Sequence, residues 1–222
     1  MDWFPLYNSL RIAALSSVVV FFAGLAAAYY AARLPRLVKG ALDTVLTLPM
    51  VLPPTVVGYL LLLVFGNKRP LGQLLANFDI RFVMTWYGGV LAAAVVAFPL
   101  MYRTARGAFE SFDTTLAQAG QTLGLSNTFI FWRIRMPACR QGILAGVVLA
   151  FARALGEYGA TSMLIGYTPG RTATISTTVY QLWRTGDDAG ALFWVGVNLG
   201  ISAAVLLTVN WLERPAKGGP TP

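Results

Sequence analysis

The chain has 222 residues, of which 56% are hydrophobic and only 12% are charged, whereas soluble domains carry about 25% charged residues. It has no histidine and one cysteine, Cys139, which excludes histidine-based acid–base catalysis, Cys/His zinc sites and internal disulfides. The net charge of +8 comes from single basic residues between apolar blocks, a pattern that indicates membrane topology rather than nucleic-acid binding. We therefore predict a membrane protein with no catalytic residue, no metal site and no cofactor of its own.

Five apolar blocks follow one another, each close to the roughly 20 residues that a helix needs to cross the hydrocarbon core. They cover about residues 9–32, 43–66, 85–104, 142–166 and 191–212. Backbone groups in lipid must be hydrogen-bonded within the segment, so we expect a continuous helix in each block. The predicted fold is all-α and polytopic, with one domain over residues 1–214 and a disordered cytoplasmic tail over 215–222.

The second block is the exception, because Pro49, Pro53 and Pro54 interrupt it. A proline removes a backbone donor and clashes with the preceding turn, so this helix should kink or break there. Such a break could widen a turn beside a transport path, or it could be a plain structural bend. We take Pro53, Pro54, Thr55 and Gly58 as candidate pathway residues.

Lysine and arginine counts set the expected orientation. With the N-terminus outside and the C-terminus in the cytoplasm, ten basic residues fall on the inner side and six on the outer side. The inner residues are Arg33, Arg36, Lys39, Arg103, Arg106, Arg133, Arg135, Arg140, Arg214 and Lys217; the outer ones are Arg11, Lys68, Arg69, Arg81, Arg171 and Arg184. This bias favours an N-out, C-in protein of the inner membrane.

The segment between the third and fourth blocks, about residues 105–138, is predicted to be cytoplasmic and structured. Ser111 or Asp113 can cap a helix, apolar residues then recur at helical spacing, and Gly124 offers a C-terminal stop. An aromatic-rich turn from Phe129 to Trp132 follows. The segment is either a docking surface for a soluble partner or an amphipathic stretch lying on lipid headgroups.

The same segment resembles the signature of ABC importer permeases, in which Glu-Ala-Ala is followed after three residues by Gly and after nine more by Ile-x-Leu-Pro. Here the positions read Gln118-Ala119-Gly120, then Gly124, then Ile134-Arg135-Met136-Pro137. The spacing is complete, while three residue identities differ. The resemblance implies a type I importer permease fold whose coupling helix sits in a groove of an ATPase subunit. The implied coupling residues are Gln118, Ala119, Gly120, Gly124, Phe129, Ile134, Met136 and Pro137.

Three further segments, residues 48–58, 142–161 and 169–175, resemble the permeases of molybdate importers and their tungstate and sulfate relatives. We expect a homodimer of this chain in the lipid bilayer, with a pair of two related permeases as the alternative, together with two ATPase subunits that bind ATP and Mg²⁺ and an external solute-binding protein. The implied substrate is an oxyanion, with molybdate first and tungstate, sulfate or thiosulfate as alternatives. The chain itself would not be an enzyme.

The fourth block combines a stripe of small residues with an ionisable pair. Gly142, Gly146 and the alanines that follow at four-residue intervals could face a second subunit or pack within one subunit. Arg153 and Glu157, four residues apart, can pair on one face, either as part of a gate or as an ion pair that locks two helices. The remaining pathway candidates are Gly159 and Arg171.

A stand-alone secondary transporter is the alternative of another class, and a membrane-embedded enzyme is a third. A secondary transporter would need inverted repeats or a titratable relay, of which the sequence offers only the Arg153 and Glu157 pair. A membrane-embedded enzyme would need clustered carboxylates or histidine, and the sequence has no histidine.

Overall fold

The computed structural model describes residues 2–212, and within them the chain is helical with no strand. The tail predicted to be disordered, 215–222, and the end of the predicted domain at 214 lie outside the described residues. The helices are α1 Phe4–Ala31, α2 Arg36–Val51, α3 Pro54–Phe65, α4 Pro70–Ala76, α5 Trp86–Glu110, α6 Thr114–Thr122, α7 Asn127–Ile130, a π-helix Phe131–Arg135, α8 Met136–Ala138, α9 Arg140–Leu155, α10 Gly159–Ile165, α11 Ile175–Arg184 and α12 Asp188–Leu212.

Helix α5 is the centre of the fold and packs against α1 on one side and α9 on another. Its inner face is built from small residues, so the backbones of neighbouring helices can approach closely. A Cβ on Gly142 would lie 2.8 Å from the Ala108 side chain, and one on Gly146 would lie 3.1 Å from the Met101 sulfur. These two glycines of the small-residue stripe therefore pack within this chain, against α5.

The predicted break in the second block is confirmed. The chain bends by 111° between α2 and α3, with extended backbone at Leu52 and Pro53 between them. Pro54 is the first residue of α3. A backbone N–H at this position would have no acceptor within the helix, so proline costs no helical hydrogen bond there. Pro49 stays inside α2, so the break is produced by the Pro53-Pro54 pair.

The expectation of one continuous helix over 142–166 is wrong. Helix α9 ends at Leu155, three residues intervene, and α10 runs from Gly159 to Ile165. Glu157 N donates to the Ala154 carbonyl, but Tyr158 leaves the helical conformation at φ −122°. No proline marks this break, and its cause is tertiary: α10 packs on α3 and α5 rather than continuing the line of α9.

Within residues 2–212, three helices are long and apolar enough to cross a membrane by themselves, and the number reaches five if each of two bent pairs counts as one span. The three are α1, α5 and α12 over Asp188–Thr208. Only 11% of the apolar window of α12 is buried within the chain, against 61% for α5. Helix α12 therefore presents most of its surface to lipid or to another subunit.

Helices α4 and α11 lie outside both the predicted blocks and the predicted cytoplasmic segment. The segment leading into α11 is held by the beginning of α1. Asn8, fully buried, donates through Nδ2 to the Ala173 carbonyl over 2.9 Å, and Ser9 Oγ accepts from the Ile175 N–H over 2.9 Å. These two polar side chains fix the predicted outer end of the bundle.

Candidate coupling surface and translocation path

Helix α6 has well-defined ends. Of the two predicted caps, Asp113 is the one used: its carboxylate accepts from the backbone N–H of Thr115 over 2.9 Å and from the Thr115 hydroxyl over 2.7 Å. At the other end Gly124 has φ +76°, its N–H bonds to the Gln121 carbonyl, and Leu125 N–H bonds to the Gly120 carbonyl. This is a Schellman motif, which requires the left-handed conformation that glycine adopts most easily.

Three residues of the predicted coupling set form the support of α6 rather than its exposed face. Gly120 is buried, and a Cβ there would lie 3.2 to 3.3 Å from the side chains of Ile130 and Ile134. Ile134 and Met136 are half-buried. The close approach at Gly120 lets α6 lie flat on the segment that returns to the bundle.

The other five predicted coupling residues are exposed. Leu116 and Leu123, seven residues apart at the two ends of α6, are 49% and 79% exposed. The exposed members of the predicted set are Gln118, Ala119, Gly124, Phe129 and Pro137. We call this set, with Leu116 and Leu123, the coupling surface. Exposed leucines on a helix with a rigid buried support are typical of a docking surface for another protein.

The return from α6 to α9 passes through a π-helix, Phe131–Arg135, a form that is rare and recurs at functional sites. Phe131 lies with its ring centroid 4.7 Å from that of Tyr29 and 6.3 Å from that of Phe109, so it contacts the ends of α1 and α5. The Cys139 thiol donates to the Ala108 carbonyl over 3.2 Å. The coupling surface is therefore attached to the bundle core at several points.

An ion-pair network that sequence reasoning missed joins the beginning of α2 to the end of α5. Asp43 accepts from Arg106 and from the Tyr102 hydroxyl, while Glu110 pairs with Lys39 and lies 3.6 Å from Arg106. Glu110 is the last residue of α5, directly before the coupling segment. The signal available in the sequence was the i,i+4 spacing of Arg106 and Glu110, but the partners on α2 are set by the fold alone.

The two helix breaks lie against each other. A Cβ on Gly159, the first residue of α10, would lie 2.7 Å from the Pro54 side chain at the start of α3. One turn further, a Cβ on Gly58 would lie 2.8 Å from the Ala160 Cα. Four predicted pathway residues, Pro53, Pro54, Gly58 and Gly159, thus belong to one place in the fold, which we call the paired breaks.

Glu157 is the buried charge of the paired breaks, with 3% of the residue exposed. One carboxylate oxygen accepts from Arg153 over 2.6 Å, and the other accepts from the Ala160 backbone N–H at the first turn of α10 over 2.7 Å. A carboxylate at a helix N-terminus satisfies an otherwise unbonded donor and interacts favourably with the helix dipole. This geometry favours the locking ion pair over the gate, the two roles left open by the sequence.

The remaining candidates are placed differently. Thr55 is exposed beside the break, whereas Arg171 lies on an exposed loop between α10 and α11. Its neighbours Thr172 and Thr174 are buried, and their hydroxyls bond within the loop and at the start of α11. Arg153 and Glu157 therefore belong to the paired breaks, whereas Arg171 belongs to the loop before α11.

Residues 21–214 match the family described as the inner-membrane component of binding-protein-dependent transport systems. The match covers most of the chain and includes both the coupling surface and the paired breaks. The chain belongs to this family. It is the membrane component of a transport system and not a stand-alone carrier.

Several curated proteins are similar over nearly the full chain. The chain is 41% identical to the molybdenum transport system permease protein ModB of Escherichia coli K12, covering 96% of this chain and 94% of that one. It is 38% identical to the putative molybdenum transport system permease protein YvgM of Bacillus subtilis, covering 93% and 91%. The sulfate transport system permease protein CysW of Synechococcus elongatus is 36% identical, covering 86% and 66%.

Solved structures confirm the fold. A bacterial ABC transporter that imports alginate aligns with a TM-score of 0.74 at 18% identity, covering 97% of this chain and 79% of that one. The MetNI methionine ABC transporter in an inward-facing conformation aligns with a TM-score of 0.68 at 14% identity, covering 96% and 100%. At these identities the likeness establishes the importer permease fold and leaves the substrate open.

Proposed function

We propose that the chain is the permease subunit of an ATP-driven oxyanion importer whose main substrate is molybdate. The observation that carries the proposal is the coupling surface, an exposed apolar strip with complete importer-signature spacing on a buried support. The similarity to two molybdenum permeases supports the substrate. Tungstate, sulfate and thiosulfate are the alternative substrates, since a sulfate permease is also similar.

In this proposal two copies of the chain enclose one path, two ATPase subunits bind ATP and Mg²⁺ on the cytoplasmic side, and a solute-binding protein delivers the anion from outside. The large apolar surface of α12 that the chain does not bury supports contact with lipid or a second copy. The N-terminus lies outside and the C-terminus inside. The chain itself carries out no hydrolysis.

The coupling surface would transmit ATPase closure to the spans. Motion of α6 reaches α1 and α5 through Phe131, and it reaches α2 through Glu110, which directly precedes the coupling segment. A partner can shift the conformation of the spans only if it contacts this surface differently in its open and closed states. The paired breaks are where two interrupted spans can change their relative position without unfolding a helix.

Uptake into proteoliposomes containing the chain and its cognate partner subunits tests both mechanism and substrate. We expect ATP-dependent uptake of radiolabelled molybdate, with strong competition from tungstate and weak competition from sulfate. Uptake that proceeds without ATP would contradict the importer mechanism. ATP-dependent uptake of sulfate that molybdate does not inhibit would retain the mechanism and overturn the substrate.

Orientation is tested separately by cysteine labelling in intact cells. Cys139 is the one cysteine of the sequence, so a Cys139→Ser background provides a chain without native thiols. In cells that produce the chain without its ATPase subunits, we expect Gln118→Cys to react with a membrane-impermeant maleimide only after the cells are opened, and Arg171→Cys to react from outside. External labelling at position 118 would contradict both the orientation and the ATPase contact.

A further inference from the structure

A groove of about 430 Å³ lies between the second half of α1 and the coupling segment. Its lower wall, on the side of the membrane interior, is formed by Phe22, Leu25 and Ala26 of α1. Its upper wall, on the side of the coupling segment, is formed by Asn127 and Thr128 of α7. With a rise of 1.5 Å per residue, Phe22 lies about 14 Å below the end of α1, within the span. The groove therefore runs from membrane depth to the end of the helix.

The upper end of the groove has the features of a membrane–water boundary. Tyr30 and Trp132, both of which line it, are 66% and 56% exposed. Exposed tyrosine and tryptophan at a span end are typical of the headgroup level, where an amphipathic ring meets both lipid and water. An occupant of the groove would thus have an apolar part beside Phe22 and a polar part beside Asn127.

Two arginines supply positive charge at this polar end. Both lie over the ring of Tyr29, which lines the groove: the Arg33 guanidinium carbon is 3.8 Å from the ring centroid and that of Arg135 is 5.5 Å away. Among residues 2–212 neither arginine forms an ion pair with a carboxylate. Because Tyr29 lines the groove, both guanidinium groups lie beside it, and neither has an acidic partner in the described part of the chain; the Arg135 guanidinium also lies over the Phe112 ring, 4.9 Å from its centroid.

We infer that the groove is a binding site for an anionic phospholipid. One acyl chain would lie along Phe22, Leu25 and Ala26, and the phosphate would lie at the mouth between Arg33 and Arg135. Charge complementarity selects an anionic over a zwitterionic headgroup, and the apolar lower wall selects a lipid over a soluble phosphate. The inference needs only that α1 spans the bilayer, so it stands independently of the proposed substrate.

Because the upper wall belongs to α7, a bound lipid would touch the coupling segment directly. Ser126 caps α7 through a 3.2 Å bond from Phe129 N–H, and Phe129 belongs to the coupling surface. Lipid binding would therefore hold α7 against α1 and stabilise the arrangement that presents α6. This gives the lipid composition of the membrane a route to the coupling segment.

Native mass spectrometry of the full-length chain, purified in detergent with any subunits that accompany it, tests the inference. The probes are dioleoyl phosphatidylglycerol and dioleoyl phosphatidylcholine, with inorganic phosphate as a competitor. We expect preferential retention of phosphatidylglycerol that phosphate does not displace. Since each near-surface arginine accounts for about a five-fold change in affinity, Arg33→Gln with Arg135→Gln should lower retention by about 25-fold.

Three further variants make the outcome decisive. Arg36→Gln with Arg140→Gln removes the same charge from exposed positions that do not lie over the Tyr29 ring and should retain the lipid. Arg33→Lys with Arg135→Lys keeps the charge and should retain it as well. Ala26→Trp fills the lower wall and should exclude both lipids, so it decides the question even if the glutamine variant fails to fold.

The inference is overturned if the glutamine and control variants retain phosphatidylglycerol equally, or if phosphatidylcholine is retained as well as phosphatidylglycerol. Displacement by inorganic phosphate would indicate a soluble anion instead. A crosslink from Ala26→Cys in the lower wall, in the Cys139→Ser background, to an ATPase subunit or to a second copy would show that a protein covers the groove, which also overturns the inference.

Discussion

The coupling segment and the paired breaks are built in opposite ways. The coupling segment takes its shape from nearby residues: Asp113 starts α6, Gly124 ends it and Ser126 starts α7. The paired breaks depend on contacts between residues about 100 positions apart, such as Pro54 with Gly159 and Gly58 with Ala160. Substitutions in the first region should therefore alter coupling, whereas those in the second should weaken the fold.

The largest effect is expected at Glu157. Replacing it with alanine leaves the Arg153 charge and the Ala160 N–H without their partner, which should destabilise the chain by about 4 kcal/mol. Glu157→Gln keeps an acceptor for Ala160 and should cost less. Thermal unfolding of the purified protein measures both variants; equal melting temperatures for wild type and Glu157→Ala would contradict the locking role.

Next comes the helix crossing at Gly58. The Cβ of Gly58→Ala would lie 2.8 Å from the Ala160 Cα, an overlap with backbone that should cost about 3 kcal/mol. Gly107→Ala is the matched control, because nothing lies within 4 Å of its Cβ and alanine favours a helix over glycine. Expression level and melting temperature should fall for Gly58→Ala and be maintained or rise for Gly107→Ala. A lower melting temperature for Gly107→Ala than for Gly58→Ala would contradict the close approach of α3 and α10 at Gly58.

A smaller effect on stability, but a specific one on coupling, is expected at Gly124. Valine is strained at φ +76° by about 2 kcal/mol, which should unwind the end of α6 and separate ATP hydrolysis from uptake. Asparagine tolerates the left-handed conformation and should preserve coupling. The ratio of ATP hydrolysed to molybdate transported distinguishes the two variants. If Gly124→Asn uncouples as severely as Gly124→Val, the requirement for glycine at this position comes from contact with the partner and not from the backbone conformation.

The smallest effect is expected from titration of Asp113. Hydrogen bonds from the hydroxyl and the backbone N–H of Thr115 lower the pKa of this carboxyl. The cap therefore stabilises α6 fully above the unfolded-state pKa of the carboxyl and loses its effect as the pH falls through the lower folded-state pKa.

Hydrogen exchange at the Thr115 amide, corrected for its intrinsic pH dependence, measures this titration. Protection should fall a few-fold in the wild type as the pH is lowered through the acidic range. Asp113→Asn also caps but does not titrate in this range, so its protection should stay constant. Parallel loss in both proteins would show that the cap is not the cause.

Much of the coupling segment was predictable because its signals are short-range. The helix between Asp113 and Gly124 follows from a cap, a periodicity and a glycine, and each acts within one or two turns. The division of the coupling residues into an exposed strip and a buried support was not predictable. It depends on Ile130 and Ile134 folding back onto Gly120, and a motif spacing does not specify which of its residues lie underneath.

The break at Pro53 was predictable and the break at Gly156–Tyr158 was not, for the same reason. A proline pair interrupts a helix by its own covalent structure, whatever surrounds it. The sequence Gly156-Glu157-Tyr158 can continue a helix, and it departs from one here because α10 packs on α3 and α5 while Glu157 caps the new start. The pairing of Arg153 with Glu157 was visible as a spacing, but the hydrogen bond from the Ala160 N–H to Glu157, which favours a locking role, was not.

The sequence by itself determined the membrane class, the all-helical fold, the importer family signature and the position of one helix break. These properties depend on composition and on residues within a few positions of one another. Only the tertiary structure decided that the two breaks meet, that the glycines of α9 pack against α5, and that Arg33 and Arg135 converge on one tyrosine. Such contacts join distant parts of the chain, and the arrangement of the helices fixes them.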